Sequence, residues 1–527
     1  MKNPAVYKLF LFILLMNFSA CKVPFISGDD DGQGGSESGA VGGASAGSSP
    51  SPQSPAPISS PENPSSPSDF GLGYNSGFVL IPVSQLYPPG PIKEAAITTL
   101  SYGDRFLSIR SVALDSQGRK VVLANVGDYQ NRNLLLFRFG RDEILDRDFG
   151  NNGYLELDLT GQTDESMDVL VHSDRSIWII ARSYRNQKSR LSISKVSEAG
   201  GLILGPVFLR DFETELGFTR GDLADSHYFA GAVFDRQNRL TVGFNISLKG
   251  TYFAKFTEPN HVDQNWGKAV LALPQSMAGF NGGLVIDSQD RVIVASSRAT
   301  LGGSVFVARF NSDGTPDNGS GEDTSPGTIF GSNGVAQYRF PVTVNPNVKA
   351  IAVDSDDNVV VAGTRVYMDP ALSYGHKTYN RLYLLKFSSD GELQNGFSDG
   401  GLLEFDWGTR FDTIESVNID SQNRIVVSGY TLARCAPEVA TTDMAVNRFF
   451  SDGQIDHSIQ NYRDPIRSEA IPLLRINHSD NYDDSAFTAV IDAEDRIWIG
   501  GDTIKTTYHP DGQYYEFEFW LSYSVID

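Results

Sequence analysis

The chain has 527 residues, with 43 Lys+Arg against 64 Asp+Glu and a formal net charge of −21. Such acidity argues against nucleic acid as a partner, because that affinity rests on phosphate neutralisation by Lys and Arg. Two cysteines are too few for a disulfide framework or a structural zinc site.

The chain opens with Lys2 and Lys8, an unbroken apolar run from Leu9 to Met16, and Asn17-Phe18-Ser19-Ala20-Cys21. The run is too short to span a bilayer and ends in small residues, the layout of an export signal over residues 1–20. Ser19-Ala20-Cys21 resembles the lipobox of bacterial lipoproteins, with Phe18 where that family commonly has Leu. The resemblance implies a lipidated Cys21 (palmitate among its acyl chains) and a mature protein anchored in a membrane, expected to be the bacterial outer membrane of the cell envelope. An ordinary cleaved signal beside an unrelated cysteine is the alternative.

Residues 21–69 are dominated by Gly, Ser, Pro and Asp. They hold too few large apolar side chains to offset ordering entropy, so a flexible stalk is predicted, with a reach of roughly 40 Å as a coil. Gly43-Ala44-Ser45-Ala46-Gly47 matches the G-x-S-x-G pattern but has no flanking strand or helix, and is read as chance.

From residue 70 to 527 one unit repeats seven times. Each has an apolar strand, a tight turn opened by Asp115, His172, Asp235, Asp287, Asp354, Asp420 or Asp492, and a second strand ending in small residues. A third strand ends basic-then-apolar, as in Arg138-Phe139, Lys255-Phe256, Arg309-Phe310, Lys386-Phe387 and Arg448-Phe449. A Phe-Gly turn then introduces a fourth, as at Phe149-Gly150 and Phe330-Gly331. Four short strands in a period of about 60 predict an all-β fold, a seven-bladed β-propeller with four antiparallel strands per blade. The seventh unit runs out after its third strand, so residues 77–83 are expected to pair with the C-terminal strand near 516–525 and close the ring.

The pattern "apolar-Asp-Ser-x-x-Arg … basic-Phe-x-x-Asp-Gly … Phe-Gly-x-x-Gly", clearest from Asp287 to Phe405, resembles the delta-60 repeat of bacterial envelope and secreted proteins. That resemblance implies the propeller fold. The family has no single assigned activity, so no catalytic residue is carried over.

No catalytic or metal-binding constellation is legible. The seven histidines, His172, His227, His261, His376, His457, His478 and His509, are scattered without ligand spacing. Cys435 has no evident base beside it, and the Asp-rich turns at Asp354–Asn358 and Asn311–Asp317 do not fit an EF-hand. The five Arg of the turn position and six Lys or Arg of strand three read as parts of the repeat, with no basic patch. Neither a cofactor nor a metal is expected. The irregular loops carry more information. Units five and six are lengthened between strands two and three, at Tyr367–Arg381 and Thr431–Asp443, and Tyr367, Tyr374, His376, Tyr379 and Arg434 are the candidate binding residues. The expected function is a non-catalytic, lipid-anchored module that binds or scaffolds an envelope or extracellular protein or glycan. An envelope enzyme (a propeller glycosidase, lyase or dehydrogenase with a site at the central channel) is the alternative.

Overall fold

Two units separate along the chain, Met1–Phe70 and Gly71–Asp527. The computed structural model describes residues 81–82, 96–100 and, apart from short connections and the segments 219–226, 273–281, 369–377 and 460–472, residues 106–526. The predicted signal, Cys21, the stalk and the G-x-S-x-G stretch lie outside the described residues.

The described residues form an all-β propeller of antiparallel blades. Six blades, not the seven expected, are complete from strands consecutive in the chain, and most have four strands. The first is Phe106–Leu114, Lys120–Gly127, Arg132–Phe139 and Tyr154–Leu157. The fifth is Pro346–Val353, Val359–Met368, Thr378–Phe387 and Leu402–Phe405. Unit three departs from the pattern, because His261–Val262 and Leu271–Ala272 both pair with Gly250–Glu258.

The seventh unit makes a composite sheet, and its partner strand differs from the expected one. Tyr515–Ile526 pairs with Ala96–Leu100, in register from Ala96 opposite Val525 to Leu100 opposite Leu521. Ile81–Pro82 adds one further strand beyond, opposite Thr99 and Thr98. Two physical facts account for the correction. The connection from Leu100 to Phe106 is as short as those from Leu157 to Asp164 and from Phe405 to Thr413, which a strand ending near residue 83 cannot match. Pro82 has no N–H to give a ladder and is tolerated on an outer strand, not inside the sheet.

Apolar side chains fill the space between consecutive units. Val121, Leu123, Leu134 and Phe149 of unit one meet Val169, Ile177 and Ile179 of unit two in one buried cluster. Similar clusters join each later pair up to units six and seven. Units seven and one meet through Trp498 and Phe139, ring centroids 6.4 Å apart.

The repeat's polar residues have a shared use. Each turn Asp folds back on its own turn: Asp115 Oδ1 accepts the N–H of Gln117 (2.8 Å) and Arg119 (2.9 Å), and Oδ2 accepts Arg119 Nε (2.5 Å). The residue three after it adopts a left-handed conformation in every unit: Gly118, Arg175, Asn238, Asp290, Asp357, Asn423 and Asp495. That requirement explains why Gly, Asn and Asp predominate there. These residues also tie the turns together: Ser288 N–H donates to Asp357 (2.7 Å), Ser355 N–H to Asn423 (3.0 Å) and Ser421 N–H to Asp495 (2.8 Å).

All eleven basic residues assigned to the repeat are ion-paired within it. The strand-three base also lies over the ring of the fourth-strand turn, Arg138 over Phe149 (4.8 Å) and Arg309 over Phe330 (4.6 Å). Its far end reaches the next unit, Arg138 to Glu198 O and Lys386 to Ser451 O (3.1 Å). Unit two lacks the Asp–Arg clasp and replaces it with His172 stacked on Trp178 at 5.9 Å.

The Asp-Gly turn of one unit docks on the Phe-Gly turn of the unit before. Gly331 N–H donates to Asp390 O at 2.7 Å, and a Cβ on Gly391 (φ +87) would stand 2.6 Å from Gly331 N. Gly391→Ala is therefore expected to lower stability by about 1–3 kcal/mol in thermal or urea unfolding. Gly396→Ala, where a Cβ meets nothing within 4 Å, serves as the neutral control.

Candidate recognition face

Strand direction sorts the connections into two ends. The Asp turns and the Asp-Gly turns lie at one end. The connections from strand two to three and from strand four to the next unit lie at the other, the loop end.

At the loop end the hairpins differ in length. Units five and six carry long ones, Val359–Met368 with Thr378–Phe387 and Ile425–Cys435 with Ala440–Phe449. Tyr367 stands opposite Tyr379 in the first, and Arg434 opposite Thr441 in the second. Tyr374 and His376 lie outside the described residues. Sequence reasoning missed the longest hairpin, Ile497–Tyr508 with Tyr515–Ile526 in unit seven, where Tyr508 stands opposite Tyr515. The signal was present: His509-Pro510-Asp511-Gly512 is a turn sequence between two tyrosines.

A second group at the same end belongs to units one to three. Arg132 opens a third strand, Arg182 and Tyr184 close a second strand, and Glu165 and Tyr228 stand near the start of first strands. Arg182 Nε donates to Glu165 Oε2 at 3.0 Å, and Arg132 donates to Glu165 Oε1 at 3.5 Å. The Arg182 guanidinium lies 5.4 Å from the Tyr184 ring centroid and 5.9 Å from that of Tyr228. Arg132 lies 5.1 Å from the Phe106 ring centroid. Burial raises the Tyr184 phenol above its ordinary pKa, with Glu165 and Tyr228 adding to the rise and Arg182 and Arg132 opposing it. Arg132 and Arg182 are not among the basic residues assigned to the repeat. From Ala181 to Ser192 unit two carries Arg182, Arg185, Lys188 and Arg190 and no acid. The net charge of the whole chain concealed this run.

The innermost strands hold the remaining unusual groups. A β-bulge breaks register five residues before the turn residue, at Arg110, Met167, Ala230, Lys349, Glu415 and Phe487. Four of these side chains meet in pairs across unit boundaries: Arg110 lies 4.7 Å from the Phe487 ring centroid, and Lys349 pairs with Glu415 at 2.7 Å. On either side of Arg110 a serine of the same strand meets a carboxylate from a neighbouring unit. Ser108 Oγ donates to Asp502 Oδ2 (2.6 Å) and Ser111 Oγ to Asp168 Oδ1 (2.6 Å). Desolvation pushes Asp502 up to about 7, against the opposing Arg110 charge, and Asp168 up to about 6.

Two other raised carboxyls have local bonding roles. Asp412, held up at about 6 by burial, caps the loop before its strand by accepting from Trp407 N–H (2.7 Å) and Thr431 Oγ1 (2.6 Å). Asp483, also about 6 through desolvation, accepts the N–H of Thr442 (3.0 Å). Among the described residues no three His, Cys, Asp or Glu side chains gather as metal ligands. Asp354 is engaged by Asn358 and by Lys386 Nζ at 2.9 Å. Cys435 ends a strand opposite Ala440. His227 is fully buried, and His376, His478 and His509 lie outside the described residues.

Fold and site together define a β-propeller whose loop end is irregular and rich in tyrosine and arginine. No protein-family model and no curated protein matches the chain. Solved structures similar to it include the polysaccharide lyase Uly1, at 10% identity and TM-score 0.41, covering 79% of this chain and 89% of that one. Another is a protein of unknown function from Dyadobacter fermentans, at 9% identity and TM-score 0.38, covering 82% and 99%. A third is the β-propeller domain of the Trilobed protease from Pyrococcus furiosus, at 11% identity and TM-score 0.35, covering 79% and 95%.

Proposed function

We propose that the chain is a lipid-anchored propeller of the bacterial cell envelope that binds protein or glycan through its loop end, without catalysis. Its composite sheet is the seventh blade, closing a ring of delta-60-type repeats, and Cys21 carries the lipid. The observation that supports recognition is the contrast between the two ends. The turn end repeats the same Asp–Arg bonds in five of the seven units. The loop end breaks the pattern, with long hairpins in units five to seven and the Arg–Tyr group in units one to three. Binding residues concentrate on loops carried by a rigid scaffold.

The test is capture of partners from envelope extract by the full-length protein, with a glycan array in parallel. Tyr367→Ser with Tyr379→Ser is expected to reduce capture by units five to seven at least fivefold, while Ser421→Ala at the turn end leaves it unchanged. Equal loss from both changes would refute a role for the loop end. For the anchor, Cys21→Ser is expected to move the protein from the membrane to the soluble fraction and abolish palmitate labelling.

A second reading, an envelope enzyme, is favoured by one observation: Asp168 and Asp502 carry raised pKa values on either side of Arg110. Against it, each carboxylate is bonded to a serine and a backbone N–H at a unit seam, as a structural group would be.

A further inference from the structure

We infer that the Arg132–Arg182–Tyr184–Tyr228 group is a binding site for an anionic polysaccharide, with sugar carboxylates on the arginines and sugar faces on the tyrosines; this rests on the proposed recognition role of the loop end.

The charge balance of the group supports an anion. Two guanidinium groups share one carboxylate, Glu165, leaving one positive charge over. The Arg132 and Arg182 side chains each stay about a fifth exposed, 21% and 20%, so a ligand can reach their outer N–H groups. Lys188, which opens the third strand of unit two, is exposed. A chain of net charge −21 repels polyanions at long range, so a site for one has to be a local concentration of this kind.

The aromatic rings narrow the class. Tyr228 is 46% exposed and belongs to unit three, whereas Arg182 belongs to unit two, so the pair bridges a unit boundary. A planar guanidinium suits bidentate pairing with a carboxylate, and a ring beside it suits the apolar face of a pyranose. An acidic peptide offers the carboxylates but no pyranose face. The group crosses two unit boundaries, with Arg132 in unit one, Glu165, Arg182 and Tyr184 in unit two, and Tyr228 in unit three. That arrangement fits an extended chain better than a small molecule.

The experiment is binding of the full-length protein to an oligogalacturonate by calorimetry, with neutral dextran, an oligoglutamate of equal charge and single-stranded DNA as comparisons. Oligogalacturonate is expected to bind, with affinity falling as salt is raised, and dextran is expected not to bind. Arg132→Gln with Arg182→Gln should weaken binding at least tenfold. Tyr228→Ala, a change at an exposed ring that keeps the Arg182–Glu165 pair, should weaken it about fivefold, and Lys188→Gln about twofold. No binding of oligogalacturonate, equal binding of oligoglutamate or DNA, or unchanged affinity in Tyr228→Ala would overturn the inference. If the glycan array or the extract yields a ligand lost with Tyr367 and Tyr379 while oligogalacturonate does not bind, the inference fails and the recognition reading stands. If the protein captures nothing through either group of the loop end, both fail.

Discussion

Asp502→Asn is expected to stabilise the protein at pH 8, by up to about 4 kcal/mol, and to leave it unchanged near pH 4. Asp502 joins the two ends of the propeller chain. It accepts Ser108 Oγ at 2.6 Å and Ile109 N–H at 3.0 Å from unit one while belonging to unit seven. Its folded pKa of about 7 lies above the ordinary 3.8, because burial penalises the charged form more than Arg110, Ser108 and Ile109 favour it. The native state therefore keeps a proton that the unfolded chain has released between the two values. Stability from this group is full below about pH 4, falls as pH rises to about 7, and is level above. A difference of about three in pKa corresponds to roughly 4 kcal/mol, which sets the upper bound. Asparagine imitates the protonated carboxyl, and unit one already uses it: Asn125 Oδ1 accepts Ser166 N–H (2.6 Å) and Ser166 Oγ (2.8 Å) at the corresponding seam. Urea unfolding across pH 4 to 8 checks this, and an unchanged slope in Asp502→Asn would rule it out. Asp168, Asp412 and Asp483, each near 6, add pH dependence of the same sign to the native protein.

Asp235→Ala is expected to lower stability by about 3–5 kcal/mol, among the largest losses from any single turn residue. Lys255 is fully buried and places Nζ 3.0 Å from Asp235 Oδ2, with Arg239 Nε on the same oxygen at 2.8 Å. Burial alone would raise Asp235, yet the Arg239 N–H and the Lys255 ammonium outweigh it and hold the carboxyl below its usual range. Removing the carboxylate leaves a buried ammonium without its direct partner. The double change Asp235→Ala with Lys255→Met should recover most of the loss, because no uncompensated charge then stays inside. Chemical denaturation of the two variants decides the matter. No recovery in the double variant would mean that the turn's backbone hydrogen bonds, not the charge, carry the effect.

Much of the architecture was legible because the repeat's chemistry is local. Asp115 and Arg119 sit four residues apart, and a single turn both requires and explains them. The pairing of Phe-Gly with Asp-Gly was visible as a motif but not as a joint, since Gly150 and Gly200 meet only when two units stack. Closure was misread for a related reason. Phe78 to Ile81 resembles a fourth strand by composition, whereas Ala96–Leu100 is selected by the length of chain left before Phe106. The candidate site was least legible. Arg132, Glu165, Arg182 and Tyr228 come from three units, and their grouping depends on register and stacking that no single window of sequence contains. The embellished hairpins of units five and six stood out by length alone, while that of unit seven was hidden inside long regular strands.

The most direct measurement of the recognition account follows both binding and turnover in one experiment. The full-length protein is incubated with a panel of acidic and neutral glycans, and retention and ligand mass are read together. The account predicts that at least one glycan is retained, that Arg132→Gln with Arg182→Gln or Tyr367→Ser with Tyr379→Ser reduces the retention, and that no ligand changes mass. A shortened, unsaturated or oxidised product that disappears in Asp168→Asn or Asp502→Asn would contradict it and assign the propeller to catalysis.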